Sequence, residues 1–375
     1  MRKSFQYRLY PTKKQQRTLT THLEECRLLY NHLLEMRKAA YERDGIFLSC
    51  FQQQRTYSVL KEERPSLRDV HSQVLQNVAV RVDLAFKAFF RRCKAGEKAG
   101  YPRFKGDGRY DSMTYPQSGF TITQDDRVCL SKIGTIKMVS HRQIIGTSKT
   151  CTVHRSSTNK WYVTFSVECE PQRLSDQPKQ VGIDVGLKTF ATLSTGEEIE
   201  NPRFFRTEEK ALARVQRKHS RLAKGTKERR RQRRVVARVH ERTKWRRDNF
   251  THQQSRKIVN QFGVICVEDL HVNRMVHTHC LAKSISDAAW SQFFDQLSCK
   301  AEEAGRVFIK VNPAYTTQDC SRCHHRQKMP LSERVYHCPC CFLVIDRDLN
   351  ASYNILGLGL QSRVVPEAPG LSPGE

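Results

Sequence analysis

The first regular pattern in the chain is short. "KSFQYRLYP" alternates polar and apolar positions and is rich in aromatics, which predicts a strand ended by Pro11. A helical hairpin is expected next. Between His71 and Cys93, Val74, Val78, Val82, Phe86 and Phe89 recur at helical spacing, so this stretch reads as an amphipathic helix. Gly and Pro in "KAGEKAGYPRFKGDGRYDS" break regular structure. From about Gly119 to Glu168 short alternating runs return. In "NKWYVTFSVE", Val163, Phe165 and Val167 fall on one side and Tyr162, Thr164 and Ser166 on the other, the mark of a β-rich module. The polar, Pro-containing "PQRLSDQPKQ" at 171–180 predicts a linker and the main domain boundary.

Beyond it, "VGIDVGLKTFATLSTGEEI" predicts a strand, a tight turn and a second strand. Residues 206–262 read as basic helices. There follow an apolar strand "GVICVEDL", a helix around 284–305, a strand "RVFIKVNP", a cysteine cluster and a last helix from about Asp348. The Pro- and Gly-rich end, 361–375, is expected to be disordered. The 375 residues suffice for two or three domains of about 150.

Charge narrows the class. Lys and Arg number 65 against 38 Asp and Glu, a net +27, too lopsided for an ordinary enzyme of small metabolites; a polyanionic partner is expected. Within 201–250 there are 19 Lys or Arg and 5 Asp or Glu, so this segment alone carries +14. No apolar run approaches the roughly 20 residues that span a bilayer, and the N-terminus has no apolar signal core, so a cytoplasmic, nucleoid-associated protein without a membrane partner is expected. Of 14 cysteines, nine are scattered singly, as ordinary buried thiols are. The other five cluster at Cys320, Cys323, Cys338, Cys340 and Cys341, and close spacing in a reducing compartment reads as metal.

Cys320 with Cys323, and Cys338 with Cys341, give two C-x-x-C pairs. Each can present two thiolates to a tetrahedral structural Zn²⁺. Cys340 competes with Cys341 for the fourth place, and His324, His325 and His337 are further candidates; C-P-C-C spacing favours Cys341. Next to this cluster stand Asp346 and Asp348, where capping of a helix start is the plain explanation. Two distant carboxylates alter the balance. Asp184 lies between Gly182 and Gly186 at the end of an apolar strand, and Glu268 ends the apolar run "VICVE", with Asp269 as an alternative beside it. Carboxylates at the ends of core strands are costly unless solvated, paired or metal-bound. Converged in a basic protein, three of them would suit phosphodiester hydrolysis with two Mg²⁺ ions (or Mn²⁺). For nucleic-acid contacts the candidates are Tyr101, Arg103, Phe104 and Lys105, which interleave rings and cations, and the Arg-rich stretch with Arg229, Arg230, Arg233 and Arg234. Rings tucked into the core are the alternative for the first group.

"GIDVGLKTFATLSTGE", "VICVEDLHVNRM", "SISDAAWSQFFDQLSCKAEEAG", "YTTQDCSRC" and "DRDLNASYNIL", in that order, resemble the successive motifs of the TnpB (OrfB) family of insertion sequences, relatives of type V CRISPR nucleases. "YRLYPTKKQQ" and "GYPRFKGDGRYDS" are similar to the family as well. The resemblance implies an α+β multidomain protein. Residues 1–170 would form a β-rich, OB-like wedge with a helical recognition lobe inserted at about 12–100. Residues 181–360 would form an RNase H-like (RuvC) nuclease domain with a zinc ribbon at about 315–345. It further implies a guide RNA, a double-stranded DNA target, a monomer on RNA, and Asp184, Glu268 and Asp348 as the catalytic carboxylates, leaving Asp346 outside. The family usually has Gly after the last zinc cysteine, where this chain has Phe342. The function so implied is RNA-guided DNA cleavage. A catalytically silent guided repressor and a strand-transferring transposase are the alternatives.

Overall fold

The computed structural model describes residues 1–277, 281–330 and 332–364. The chain divides into two units, Met1–Glu170 and Pro171–Glu375.

In the first unit, β1 (Arg2–Tyr10) stops at Pro11 and buries its alternate residues Phe5, Tyr7 and Leu9. Four helices follow: α1 (Lys13–Asp44), α2 (Cys50–Arg55), α3 (Tyr57–Glu63) and α4 (Ser72–Lys94). The expected hairpin is thus two long helices bridged by two short ones. Thr12 and Gln15 form a capping box that starts α1, and Gly45 ends it in the left-handed region. On α4, Val74, Val78, Val82 and Phe86 are buried as their spacing requires, while Phe89 is only half-buried. The chain then forms β2 (Ser112–Tyr115), β3 (Phe120–Thr123), β4 (Arg127–Leu130), β5 (Gly134–Val139), β6 (Thr147–Arg155) and β7 (Trp161–Glu168). These join β1 in a seven-stranded antiparallel sheet of order β2-β6-β7-β1-β5-β4-β3. Strand β1 pairs β7 from Arg2↔Glu168 to Leu9↔Trp161, so the first and last segments of the unit close on each other around the helices.

The segment expected as a linker is tied down. Leu174 N–H donates to Ala304 C=O, Lys179 C=O accepts from Gly263 N–H, and Gln180 already belongs to the next strand. That strand, β8 (Gln180–Val185), is followed by β9 (Thr189–Leu193), β10 (Glu198–Glu200), α5 (Phe204–Arg221), α6 (Lys227–Gln261) and β11 (Val264–Glu268). Next come α7 (Val272–Met275), α8 (Ala282–Ala288), α9 (Trp290–Ala304), β12 (Val307–Val311), β13 (Val335–His337), β14 (Val344–Asp346) and α10 (Arg347–Val364). The single helix expected at 284–305 is two, because Ala289 sits in the left-handed region (φ 56°) and breaks it. Residues 361–363 lie in α10 and not in a disordered tail; 365–375 are outside the described residues.

The five-stranded sheet has the order β10-β9-β8-β11-β12, with β8, β11 and β12 parallel and β9 and β10 antiparallel. Strand side chains alternate between faces. Val181, Ile183, Ile265 and Val267 join the core formed with α6 and α9, whereas Val264 and Cys266 pack with Ile355 of α10. By the same alternation Asp184 and Glu268 project toward the α10 face. Helix α10 lies close on β8 because Gly182 has no side chain. A Cβ there would meet Ser352 C=O at 2.1 Å and Leu356 N at 2.7 Å, both backbone atoms that cannot swing aside. Gly182→Ala is therefore expected to destabilise this unit by about 2–3 kcal/mol, read as a lowered urea midpoint.

Candidate active site and metal centre

Asp184 is the penultimate residue of β8 and Glu268 the last of β11. The parallel register Ile183↔Val267 sets them side by side at the C-terminal edge of the sheet. Asp348 comes from the first turn of α10, the helix that crosses the same face, and its Oδ2 lies 4.0 Å from where a Cβ on Gly186 would stand. Asp184 and Glu268 are buried and Asp348 is half-buried. Burial raises the Asp184 carboxyl well above the usual range, and the charges of Glu268 and Asp348 raise it further, against a smaller opposing effect of Arg347. Burial also raises Glu268, partly offset by the hydroxyl of Thr316, which donates to its Oε1 at 2.5 Å. Asp348 accepts from Arg347 through Nε (3.1 Å) and Nη2 (3.0 Å) and pairs with Arg334 at 3.5 Å. Asp184 feels the charges of both other carboxylates, yet the oxygens of the three do not all approach within 4.8 Å.

The residues weighed against this trio are placed elsewhere. Asp346 is the helix cap: its Oδ1 accepts from Asp348 N–H (2.8 Å) and Leu349 N–H (3.0 Å). Asp269 is exposed and faces Lys310 at 3.5 Å.

Among the described residues, one group of cysteine, histidine and carboxylate ligand atoms gathers within 4.8 Å: Cys320, Cys323, Cys338 and Cys341. The Cys320–Cys341 and Cys323–Cys338 sulfur separations are 3.6 and 3.5 Å. A tetrahedron with Zn–S bonds of about 2.3 Å has edges of roughly 3.8 Å, so the four sulfurs fit such an ion. Burial opposes ionisation of Cys338, but N–H groups of Cys341 and Cys340 hold the thiolate and bring its pKa to about 6. Cys340 is exposed and lies outside the group, whereas Cys341 belongs to it.

Sequence reasoning missed the residues that tie this cluster to the carboxylates. Asn350 and Asn354, one turn apart on α10, both donate to Asp319 C=O, at 2.8 and 2.7 Å. Asn354 also donates to Thr316 C=O, and Asn350 Oδ1 accepts from Ser321 N–H. The segment Thr316–Ser321 thus leads from Glu268 along α10 into the cysteine module. The i, i+4 spacing of the two asparagines in "DLNASYN" was the readable signal. Asp287 was missed too; its carboxylate accepts from Phe205 N–H at 2.9 Å and caps α5 from a distant segment, which no local pattern announces.

The nucleic-acid candidates divide. In 201–250 every Lys and Arg except Arg229 and Arg247 is exposed. Helices α5 and α6 form an antiparallel hairpin, with Gln232 donating to Val215 C=O and Arg246 paired to Glu208. Arg233 and Arg234 are exposed, and so is Arg230, although its guanidinium donates to Gly225 C=O at 3.1 Å; Arg229 donates to Leu222 C=O and likewise braces the hairpin turn. In the first unit, Tyr101 packs edge-on against Phe86 and Phe89, each 5.5 Å away, in a cavity of about 500 Å³ shared with Tyr41, Phe47 and Phe90. Lys105 is pinned by its backbone to Asn31 and Arg27. Arg103 and Phe104 are exposed.

A protein of Streptomyces pristinaespiralis named "Putative RNA-guided DNA endonuclease" is 33% identical over 96% of this chain and 90% of its own length. The chain belongs to the TnpB (OrfB) family. The OrfB family of IS605, described as "Probable transposase", matches residues 164–279; a Cas12f1-like TNB domain matches 290–355; and an OrfB helix-turn-helix domain matches 1–45. That last segment folds here as β1 and the single helix α1. A second relative, "Putative RNA-guided DNA endonuclease InsQ" of Escherichia coli K12, is 29% identical over 95% of this chain and 92% of its own. Among solved structures, a Cas12f1–sgRNA–target DNA complex matches 90% of this chain and 81% of its own with a TM-score of 0.56 at 15% identity, a likeness of fold. No helix among the described residues is long and apolar enough to cross a membrane.

Proposed function

We propose that this TnpB protein is an RNA-guided DNA endonuclease that hydrolyses phosphodiester bonds at Asp184, Glu268 and Asp348. The observation that carries the reading is the convergence of these three acids, from β8, β11 and α10, at one sheet edge in a chain of net charge +27. The strand order β10-β9-β8-β11-β12 supports an RNase H-like, RuvC-type layout for the second unit, and the antiparallel sheet with helices between β1 and β2 supports an OB-like wedge with a recognition lobe. The names of the full-length relatives supply the guide RNA and the DNA target.

Asp184, Glu268 and Asp348 would hold a pair of Mg²⁺ ions, which when bound supply an activated water and a charge clamp on the leaving oxygen. The chain's own groups prepare the site. Burial and mutual repulsion make Asp184 a strong cation acceptor. Thr316 orients Glu268, and Arg347 and Arg334 pair with Asp348 and are placed to turn toward a phosphate. The cysteine cluster would hold Zn²⁺ as a structural ion. The exposed α5–α6 arginines would line the heteroduplex path and grip its backbone.

The test is to purify the protein from its native locus, sequence the RNA that comes with it, and ask whether that RNA programs Mg²⁺-dependent cutting of matched plasmid. Matched DNA left intact would overturn the reading; joined strands in a donor–target assay would favour a transposase. A separate result is expected for salt. Replacing Arg230, Arg233 and Arg234 together by Gln should lower the slope of log affinity against log salt by about 2 to 3, the amount for three phosphate contacts, with fluorescence anisotropy as the measure.

A further inference from the structure

A closed structural zinc site takes four thiolates, and this module carries a fifth thiol, Cys340, beside the four that gather. It stands in one turn with two of them, a single peptide from Cys341 and two from Cys338. Access sets it apart: Cys340 is exposed, whereas Cys338 is 3% exposed and Cys320 fully buried. A dissolved oxidant therefore meets Cys340 before the sulfurs of the centre. The backbone also supplies it with a partner. Residues 338–342 fold back, with Phe342 N–H donating to Cys338 C=O at 3.1 Å, and Pro339 fixes one backbone angle between the two cysteines. Two peptides reach at most about 7 Å and less in a turn, which brings Cys338 and Cys340 into the roughly 4.4–6.8 Å that a disulfide spans between Cα atoms. Cys340 and Cys341, about 3.8 Å apart, fall below that range.

Resting on the zinc reading of the four-cysteine centre, we propose that Cys340 is an oxidative modification site, at which hydrogen peroxide starts a disulfide with Cys338 and so strips the centre of its metal. The Cys340 thiolate attacks one peroxide oxygen; an S–O bond forms, the O–O bond breaks, and hydroxide leaves as water with a proton from solvent. The Cys338 sulfur then attacks the sulfenic sulfur, so that an S–S bond replaces the S–O bond and a second hydroxide leaves in the same way. Peroxide gains two electrons and the two thiolates lose them. Cys320, Cys323 and Cys341 remain, one ligand short of a closed site, and Zn²⁺ departs. A dithiol reductant with added Zn²⁺ reverses the change. Without Cys340 the oxidant must attack metal-bound sulfurs that are buried or half-buried, a slower route.

The test treats the full zinc-loaded chain with hydrogen peroxide and follows metal release with the chromophoric chelator pyridylazoresorcinol. Cys340→Ser is the decisive variant, and Cys93→Ser is the control for an exposed thiol outside the module. Both should melt as wild type does and hold the same zinc before oxidation. Wild type and Cys93→Ser are expected to release zinc about ten times faster than Cys340→Ser. Mass spectrometry after alkylation should find Cys338 and Cys340 joined in the oxidised wild type. Zinc lost as fast from Cys340→Ser would overturn the proposal, and so would a Cys340 oxidised to the sulfinic acid while the metal stays bound. A chain that holds no zinc when purified would sink the zinc reading and this proposal with it, whereas zinc held but released without regard to Cys340 sinks this proposal alone. None of these measurements depends on DNA cleavage, so the nuclease reading is tested apart from them.

Discussion

Asp184→Asn is expected to abolish guided cleavage, by about three orders of magnitude or more, which is about 4 kcal/mol of barrier, and at the same time to stabilise the magnesium-free protein. The two signs have one cause. Asp184 is buried beside two like charges, which raise its carboxyl well above the usual range, so the ionised form is held at a cost in the fold. Removing that charge while keeping the shape should add about 1 kcal/mol or more in magnesium-free buffer. Linkage gives the accompanying pH trend. A carboxyl raised on folding binds its proton more tightly in the native state, so its contribution is fullest below the unfolded pKa and is lost as pH rises through the folded one. Asp184→Asn should flatten that fall. Added Mg²⁺ should raise the wild-type melting temperature and leave the variant's unchanged, since a cation binds only where the acids gather. A variant that cuts at even a tenth of the wild-type rate, or one that melts well below wild type, would contradict the role given to this residue. An ordinary structural aspartate would lose stability and show no response to Mg²⁺.

How much of this was legible in the sequence follows from the range of each interaction. The alternation in "VGIDV" and "VICVE" reports a local property, which side of a strand faces which layer. It was enough to place Asp184 and Glu268 on one face once the two strands pair in parallel. The capping role of Asp346 is likewise local, spanning two and three residues, and the competition between it and Asp348 resolves as the helix start requires. The cysteine spacing was legible because two C-x-x-C knuckles constrain geometry by themselves. Asn350 and Asn354 left only their i, i+4 spacing as a signal, since their partners are backbone groups some 30 residues earlier and no side-chain pattern marks those. Asp287 capping α5 across 82 residues escaped for the same reason. Tyr101 is a different case. Its basic, aromatic neighbourhood suggested nucleic acid, but composition does not reveal that its ring meets Phe86 and Phe89 of α4 in a cavity of the same unit.

Removing Zn²⁺ from the four-cysteine centre is expected to reduce cleavage to below about 1% of wild type even with Mg²⁺ in large excess. The reason lies in the segment that joins the two sites. A structural zinc ion contributes on the order of 10 kcal/mol to the fold of a small module, more than the ribbon's few apolar contacts among Tyr336, Met329, Leu343 and Ile345 can supply. Without it the module's foot, Thr316–Ser321, loses its distal anchor and keeps Asn350, Asn354 and the Thr316–Glu268 bond. That foot contains Thr316, whose hydroxyl orients Glu268, and it lies along the helix that presents Asp348. Two of the three acids therefore depend on it. A zinc-selective chelator, with far-UV circular dichroism to show that the rest of the chain stays folded, tests this directly, and restoring Zn²⁺ should restore cutting. Cys338→Ser should behave like the chelated protein, whereas Cys340→Ser, at an exposed position outside the centre, should cut normally. Asn354→Ala should fall between them, because it leaves Thr316 C=O without its donor and Asp319 C=O with only Asn350, about 2 kcal/mol, while the metal stays in place. Full cutting by zinc-free, folded protein would show that the module stands beside the active site without positioning it.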